Sequence, residues 1–181
     1  MKKEIAVFDY AKEIIEALDK GVLLTTKADD KVNTMTIGWG MLGIEWSKPV
    51  FTAFIRKHRF TNELLEKSLE FTVNIPYGEY DKKILGFCGS KSGRNTDKIK
   101  ELGLSLIEPS VISTPAIKEL PLTLECRVIY HQDQEGKYLT KENRDRFHPQ
   151  DIDGSSPMAN RDYHTAYYGE IVSAYLIEPD A

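Results

Sequence analysis

The feature that most constrains this chain is a succession of short β-branched and aromatic stretches that never settles into strand–helix alternation. Val22 to Thr26, Thr34 to Met41, Val50 to Ile55 and Phe71 to Ile75 each read as a strand, with Gly, Pro or polar breaks between them. Leu122 to His131 and Tyr167 to Ile177 extend the pattern through the second half, and Asp133-Gln134-Glu135-Gly136 fits a hairpin turn leading to Tyr138. Helical signals are fewer. Ala11, Ile14, Ile15 and Leu18 recur at helical spacing within Asp9 to Lys20, and Gly21 supplies a stop. Asn62 to Lys67 reads as a short helix capped by Thr61, and Asp81 to Phe87 and Thr96 to Leu102 also look helical. Many short strands with a few helices imply a mainly β, α+β architecture, a closed or partly closed barrel, over one domain spanning residues 1–181. The polar stretch from Arg144 to Arg161, with Pro149, Gly154 and Pro157, reads as a long surface loop of the kind that often serves function or assembly.

Composition narrows the function classes. Of 181 residues, 41% are hydrophobic and 29% charged, which is globular. The net charge of -4, from 24 basic and 28 acidic residues, argues against a nucleic-acid binder, whose affinity comes from clustered Lys and Arg. No apolar run approaches the roughly 20 residues of a membrane helix, and the basic start lacks a signal peptide's apolar run. Cys88 and Cys126 form no CxxC pair and the histidines are scattered, so no metal site can be assembled. The expectation is a reduced, cytoplasmic protein without nucleic-acid or membrane partners.

Two stretches carry chemical information. In Asn33-Thr34-Met35-Thr36-Ile37-Gly38-Trp39-Gly40, strand alternation puts Met35, Ile37 and Trp39 on a large apolar face. Thr34, Thr36, Gly38 and Gly40 make the opposite face small enough for a flat ligand to approach the backbone. The same glycines equally fit a bulge, or tight packing under a helix. In Arg56-Lys57-His58-Arg59-Phe60-Thr61, a basic turn meets the start of a helix, where unpaired N–H groups favour an anion and arginine forks match phosphate oxygens. The competing reading is a solvated charge run with Thr61 as an ordinary cap. A single site of this kind is the size of one phosphate.

Cys88-Gly89-Ser90-Lys91-Ser92-Gly93-Arg94 is a second anion candidate, or a flexible basic linker; it is not a Walker A loop. Cys88 has no activating neighbour in sequence, and His131, His148 and His164 are isolated. GxSxG and HExxH are absent.

In order and spacing these pieces resemble the flavin reductase-like family, the FMN-binding split barrel, and within it the flavoredoxin-type branch. The resemblance covers about Gly21 to Ile177. It runs through Asn33 to Trp39, Arg56 to Thr61, Phe71-Thr72-Val73-Asn74, Cys88-Gly89, Ser92-Gly93-Arg94, Asp97-Lys98, His164 and Gly169-Glu170-Ile171-Val172. It implies a six-stranded antiparallel split barrel, a homodimer, and FMN near the subunit interface. The ring then runs along Asn33, Met35, Thr36, Ile37, Gly38 and Trp39, and the phosphate lies near Arg56, Lys57, His58, Arg59 and Thr61. Asn74, Ser92, Arg94 and Lys98 complete the candidate cofactor-binding set. Gly38 stands where the family often has Ser, so a hydroxyl contact to flavin is missing. Tyr163, Tyr167 and Tyr168 are candidate interface anchors.

The implied activity is a flavin-dependent oxidoreductase passing hydride or electrons through FMN and using NAD(P)H. The cofactor would carry the chemistry, so no acid–base pair is required and no catalytic side chain is assigned. The alternative is a non-enzymatic FMN electron carrier of flavoredoxin type. A protein–protein module with a vestigial site ranks third, since fold alone does not fix function.

Overall fold

A computed structural model describes residues 1–155 and 159–178. Helix α1 (Ala11–Lys20) buries Ile14 and Leu18, the two apolar positions one helical turn apart, and stops at Gly21, whose φ of 107° suits glycine. Strands β1 (Lys2–Glu4), β2 (Val22–Ala28), β3 (Lys31–Ile37), β4 (Gly40–Glu45), β5 (Lys48–Arg56), β6 (Glu70–Ile75), β9 (Leu122–Asp133) and β10 (His164–Ile177) build an eight-stranded antiparallel sheet. The path through it is β3-β2-β6-β9-β10-β5-β4, with β1 paired on β10; the short strands β7 (Leu106–Ile107) and β8 (Ala116–Ile117) pair separately. The expected split barrel is present: the sheet does not close, and β1 and β4 bring its count to eight.

The split falls within a stretch that the sequence presents as one continuous strand. β3 ends at Ile37, Gly38 and Trp39 are irregular, and β4 begins at Gly40. The two ends of the sheet are therefore joined by two residues. Ile37 stays in the core at 4% exposure, but Trp39 does not follow it. Its ring lies 5.0 Å from that of His164 and meets Phe147 edge-on at 5.2 Å, leaving it 43% exposed.

The inner face packs Val22, Leu24, Phe51, Ile55, Phe71, Val73 and Leu124 with Ile14 and Leu18. Gly169 shows how tightly. It sits at a register shift in the β9–β10 ladder, and a Cβ there would lie 2.6 Å from Phe71 Cζ and 2.8 Å from Cys126 Cβ.

Helix α2 (Phe60–Ser68) starts earlier than expected. Its N-cap is Arg59, and Thr61 lies inside the first turn, buried, rather than capping. Helices α3 (Lys83–Ser90) and α4 (Lys98–Leu102) occur near their expected places, the latter capped by Asp97. The turn after Asp133 is not a hairpin. The chain instead forms a 3-10 turn at Gly136–Tyr138 and helix α5 (Lys141–Phe147), capped by Thr140, which runs into the stretch read as loop from Arg144. A buried guanidinium ties this excursion to β5: Arg56 donates to the carbonyls of Phe147 (2.9 Å), Asn160 (3.2 Å) and Asp162 (2.6 Å). Residues 156–158 of the expected loop lie outside the described residues.

Gly169→Ala should lower stability by about 1–3 kcal/mol through overpacking against Phe71 and Cys126. Urea unfolding of the flavin-free protein measures it; an unchanged midpoint would mean the interior gives way without cost.

Candidate functional site

β3 is an end strand, hydrogen-bonded to β2 alone in the ladder, so one side of its backbone is left to other partners. The faces of β3 are occupied differently from the alternation argument. Thr36 Oγ1 donates to the Leu85 carbonyl at 2.6 Å, and a Cβ at Gly89 would touch Thr36 at 3.4 Å, so α3 covers this small face. Thr34 is buried, accepting a hydrogen bond from Thr25 Oγ1 at 3.0 Å. Tight packing under a helix, one of the open alternatives, is what occurs there. The open space lies instead at the strand's C-terminal end. A cleft of about 260 Å³ is lined by Met35, Thr36, Ile37, Gly38 and Trp39 from one side, by Phe54, Arg56 and Arg59 from β5 and the turn after it, and by Asn160 and His164. At Gly38 the nearest protein atom to an added Cβ is Leu18 O at 3.5 Å, and φ is not positive there, so the glycine keeps a cradle open rather than a turn possible.

A second, narrower cleft of about 20 Å³ adjoins the first through Met35 and Arg59. Asn33, His58, Phe60, Thr61, Ser92, Gly93, Arg94 and Lys98 also line it, with Cys88 and Gly89. Asn33 Nδ2 donates to Thr61 Oγ1 at 2.8 Å, tying β3 to α2. A Cβ at Gly93 would fall on Asn33 Oδ1 and within 2.9 Å of Phe60 Cδ1, so only glycine lets the Ser92–Arg94 segment come this close. Arg94 Nη1 donates to the His58 carbonyl at 2.9 Å, and its Nη2 pairs with Glu63.

The electrostatics of this narrow cleft centre on Lys98. Its side chain is 4% exposed, its Nζ donates to the Cys88 carbonyl at 3.3 Å, and among the described residues no carboxylate pairs with it. Burial pushes its pKa down to about 8; Cys88 opposes the shift and Arg59 adds to it. Arg59 is lowered too, again by burial, with Asp162 opposing. Two desolvated cations facing one cleft fit an anion such as a phosphate. Cys88 is pushed up to about 11 by burial, so its thiol stays protonated and is no nucleophile. His164, in the first cleft, is held down to about 3 by burial and by the Arg56 and His148 charges, and stays neutral.

Three expected contacts are redirected. Arg56 turns to Phe147, Asn160 and Asp162, with His148 Nδ1 at 3.3 Å as a further neighbour, so it anchors the cleft wall. Lys57 is exposed and pairs with Asp133 at 2.5 Å. Asn74 is fully buried away from both clefts: its Nδ2 serves Leu120 O, Ile117 O and Thr123 Oγ1, and its Oδ1 accepts from the Ile117 N–H. Sequence reasoning missed Phe54, Phe147 and Asn160. Phe54 looks like any core strand residue, and the other two come from the irregular excursion, where no periodicity marks them.

The sign of the Lys98 shift yields a test. Its folded value lies below that of an unfolded lysine, so between about pH 8 and the ordinary lysine range the unfolded chain binds the extra proton, and stability rises with pH across that window. Below it the buried cation is held at a cost. Lys98→Met should therefore raise flavin-free stability at pH 7 by about 1–3 kcal/mol, and the gain should vanish near pH 10. A destabilised variant at pH 7 would contradict the burial argument.

Comparison with known proteins places this geometry. An uncharacterized protein of Archaeoglobus fulgidus is 33% identical over 100 residues, 55% of each chain. The chain spans 55%, 62% and 64% of the length of three curated relatives that it matches. Flavoredoxin from Methanosarcina acetivorans superposes with a TM-score of 0.62 at 25% identity, over 88% of this chain and 73% of that one. An FMN-binding domain of a flavin reductases-like enzyme from Shewanella baltica superposes with a TM-score of 0.63 at 15% identity, over 97% and 77%, which speaks for the fold. The family model described as "Flavin reductase like domain" matches residues 19–181. The chain belongs to the flavin reductase-like family.

Proposed function

We propose that the chain binds FMN along the free side of β3 and acts as a flavin-dependent oxidoreductase. The observation that carries the reading is the buried Lys98, paired with no carboxylate among the described residues, in the narrow cleft that adjoins the ring-sized one at Arg59. Lys98 and Arg59 hold the phosphate, with Ser92 and the start of α2 adding hydrogen-bond donors. The backbone of Met35 to Trp39 meets the ring's polar edge. Phe54 and Trp39 give it apolar contact, and neutral His164 limits water without supplying a proton. Bound flavin supplies reversible hydride and electron transfer; the chain's own task is orientation and electrostatics. The electron donor in this reading is NADH or NADPH. A carrier without a nicotinamide site is the second reading, favoured by Trp39, which Phe147 and His164 hold at the cleft's mouth.

The sheet's β4 end supports a homodimer. Met41, Ile44 and Trp46 are 62%, 71% and 56% exposed, next to half-exposed Tyr130. Tyr167, an expected anchor, is fully buried and bonds Asn62 and Glu66 instead. Both cysteines are free and buried, consistent with a reducing compartment, and no helix among the described residues is long and apolar enough to cross a membrane.

The protein should purify yellow and bleach under anaerobic NADH or NADPH; a flavin-loaded protein that neither reduces would favour the carrier reading. Arg59→Ala should weaken FMN roughly ten- to a hundredfold, the cost of a charge-assisted hydrogen bond, while changing riboflavin little. Equal losses for both ligands would remove Arg59 from the phosphate. Light scattering should give a dimer mass, and Met41→Glu with Ile44→Glu should shift it to monomer; a monomeric wild type would refute the interface.

A further inference from the structure

The ring cleft has two apolar ring faces, and they are held differently. Phe54 stands within β5, its backbone paired with Ala166 of β10. Trp39 stands in the two-residue link between β3 and β4. The β2–β3 ladder ends at Ile37 and the β4–β5 ladder begins at Gly40, so Trp39 belongs to neither. Side chains keep its indole in place: the His164 ring, 5.0 Å away between centres, and the Phe147 ring, edge-on at 5.2 Å. Both brackets are themselves fixed. His164 is 6% exposed and pairs with Arg56 in the β5–β10 ladder, and the Phe147 carbonyl accepts from Arg56 Nη2 at 2.9 Å. Of these three rings the indole is the one able to turn. It is 43% exposed, so it can swing toward solvent without opening the core.

Space decides what this arrangement does. At about 260 Å³ the cleft is smaller than the roughly 300 Å³ at which pockets for drug-sized ligands begin, so it has room for one flat ring system and not for two stacked ones. Stacked rings keep their centres roughly 4.5 Å or more apart, so a second ring needs a layer of its own. A dihydronicotinamide needs that layer, because hydride passes only between atoms brought to about 3–3.5 Å. Phe54 is fixed on a paired strand and cannot yield the space. Trp39 can.

We propose that Trp39 sets the access of the electron donor: its indole fills the place where a nicotinamide ring stacks, and the donor binds by turning it out of the bracket formed by His164 and Phe147. The proposal rests on the flavin reading above and names the residue that governs its donor. The transfer itself is ordinary. The dihydronicotinamide gives up one hydride and leaves as the oxidised cation, and the flavin takes both electrons. What Trp39 adds is a competition. Donor affinity is reduced by the fraction of molecules whose indole is turned out, and each aromatic contact to be broken is worth roughly two- to tenfold.

The test saturates the full chain with FMN and titrates the tetrahydro analogues of NADH and NADPH, which keep the donor's shape and cannot give a hydride. Trp39→Ala should bind the better analogue about tenfold tighter than wild type. Trp39→Phe, which keeps a ring against Phe147 and His164, should return most of that gain. Phe147→Ala, which loosens the bracket and keeps the indole, should gain in the same direction by roughly two- to tenfold. FMN itself should bind Trp39→Ala more weakly, because the indole also gives the flavin apolar contact. Opposite signs for two ligands on one variant cannot come from a loosened fold. A wild type that binds the analogue as tightly as Trp39→Ala and Phe147→Ala, variants that weaken both ligands alike, or no analogue binding by any of the proteins would overturn the proposal and leave the flavin reading standing. A wild type that takes up no FMN would overturn both.

Discussion

A β-strand with an unpaired side must satisfy its backbone somewhere, and in this protein the unpaired side of β3 organises everything around it. The sheet runs from β3 to β4 without closing, and only Gly38 and Trp39 span the gap. Edge strands are ordinarily blunted by charge, bulges or covering elements. Here α2 is tied to β3 through Asn33 and Thr61, α3 through Thr36 and Leu85, and the strand's end is left facing a cleft. The excursion pinned by Arg56 forms the far wall of that cleft. Remove the split and there is no site; remove Arg56 and one wall loses its anchor.

The second organising fact is a local conflict between stability and charge. A buried lysine such as Lys98, whose partner among the described residues is the Cys88 carbonyl, is a poor way to stabilise a fold. Such violations are expected at functional sites, where the missing counter-charge arrives with the ligand. Arg56 makes the contrast within the same sequence run. It too is buried and lowered by burial, yet Asp162 and three carbonyls surround it, so its charge is internally answered. Four consecutive residues, Arg56 to Arg59, thus divide between anchoring the wall, pairing with Asp133, pairing with Asp162 and facing the cleft.

Much of this was legible in the sequence because it is local. The strands of β2, β5, β6, β9 and β10 follow from β-branched runs and their breaks, and the meeting of a basic turn with a helix start puts Arg59 where it is found. The gathering of Asn33, Ser92, Arg94 and Lys98 around that turn is long-range, and there the family resemblance supplied what spacing could not. Local reasoning failed where one pattern serves two structures. Alternation from Thr34 to Met41 hides the break at Gly38, because glycine is as compatible with a strand end as with a close-approach face. A Gly-bearing polar turn after β9 looks like a hairpin, whereas Arg56 holds the chain in a longer excursion from 91 residues away in sequence, measured at Phe147. Charge alone could not separate Arg56 from Arg59, because burial partners decide their roles.

The most direct measurement is a crystal structure of the protein with FMN. The phosphate should lie within hydrogen-bonding distance of Lys98 Nζ and the Arg59 guanidinium, and the ring beside the Met35 to Trp39 backbone, with Arg56 still bound to Phe147, Asn160 and Asp162. A flavin seated on another face of the sheet, or a phosphate held by Arg56 or Lys57 with Lys98 still bonded only to the Cys88 carbonyl, would contradict it.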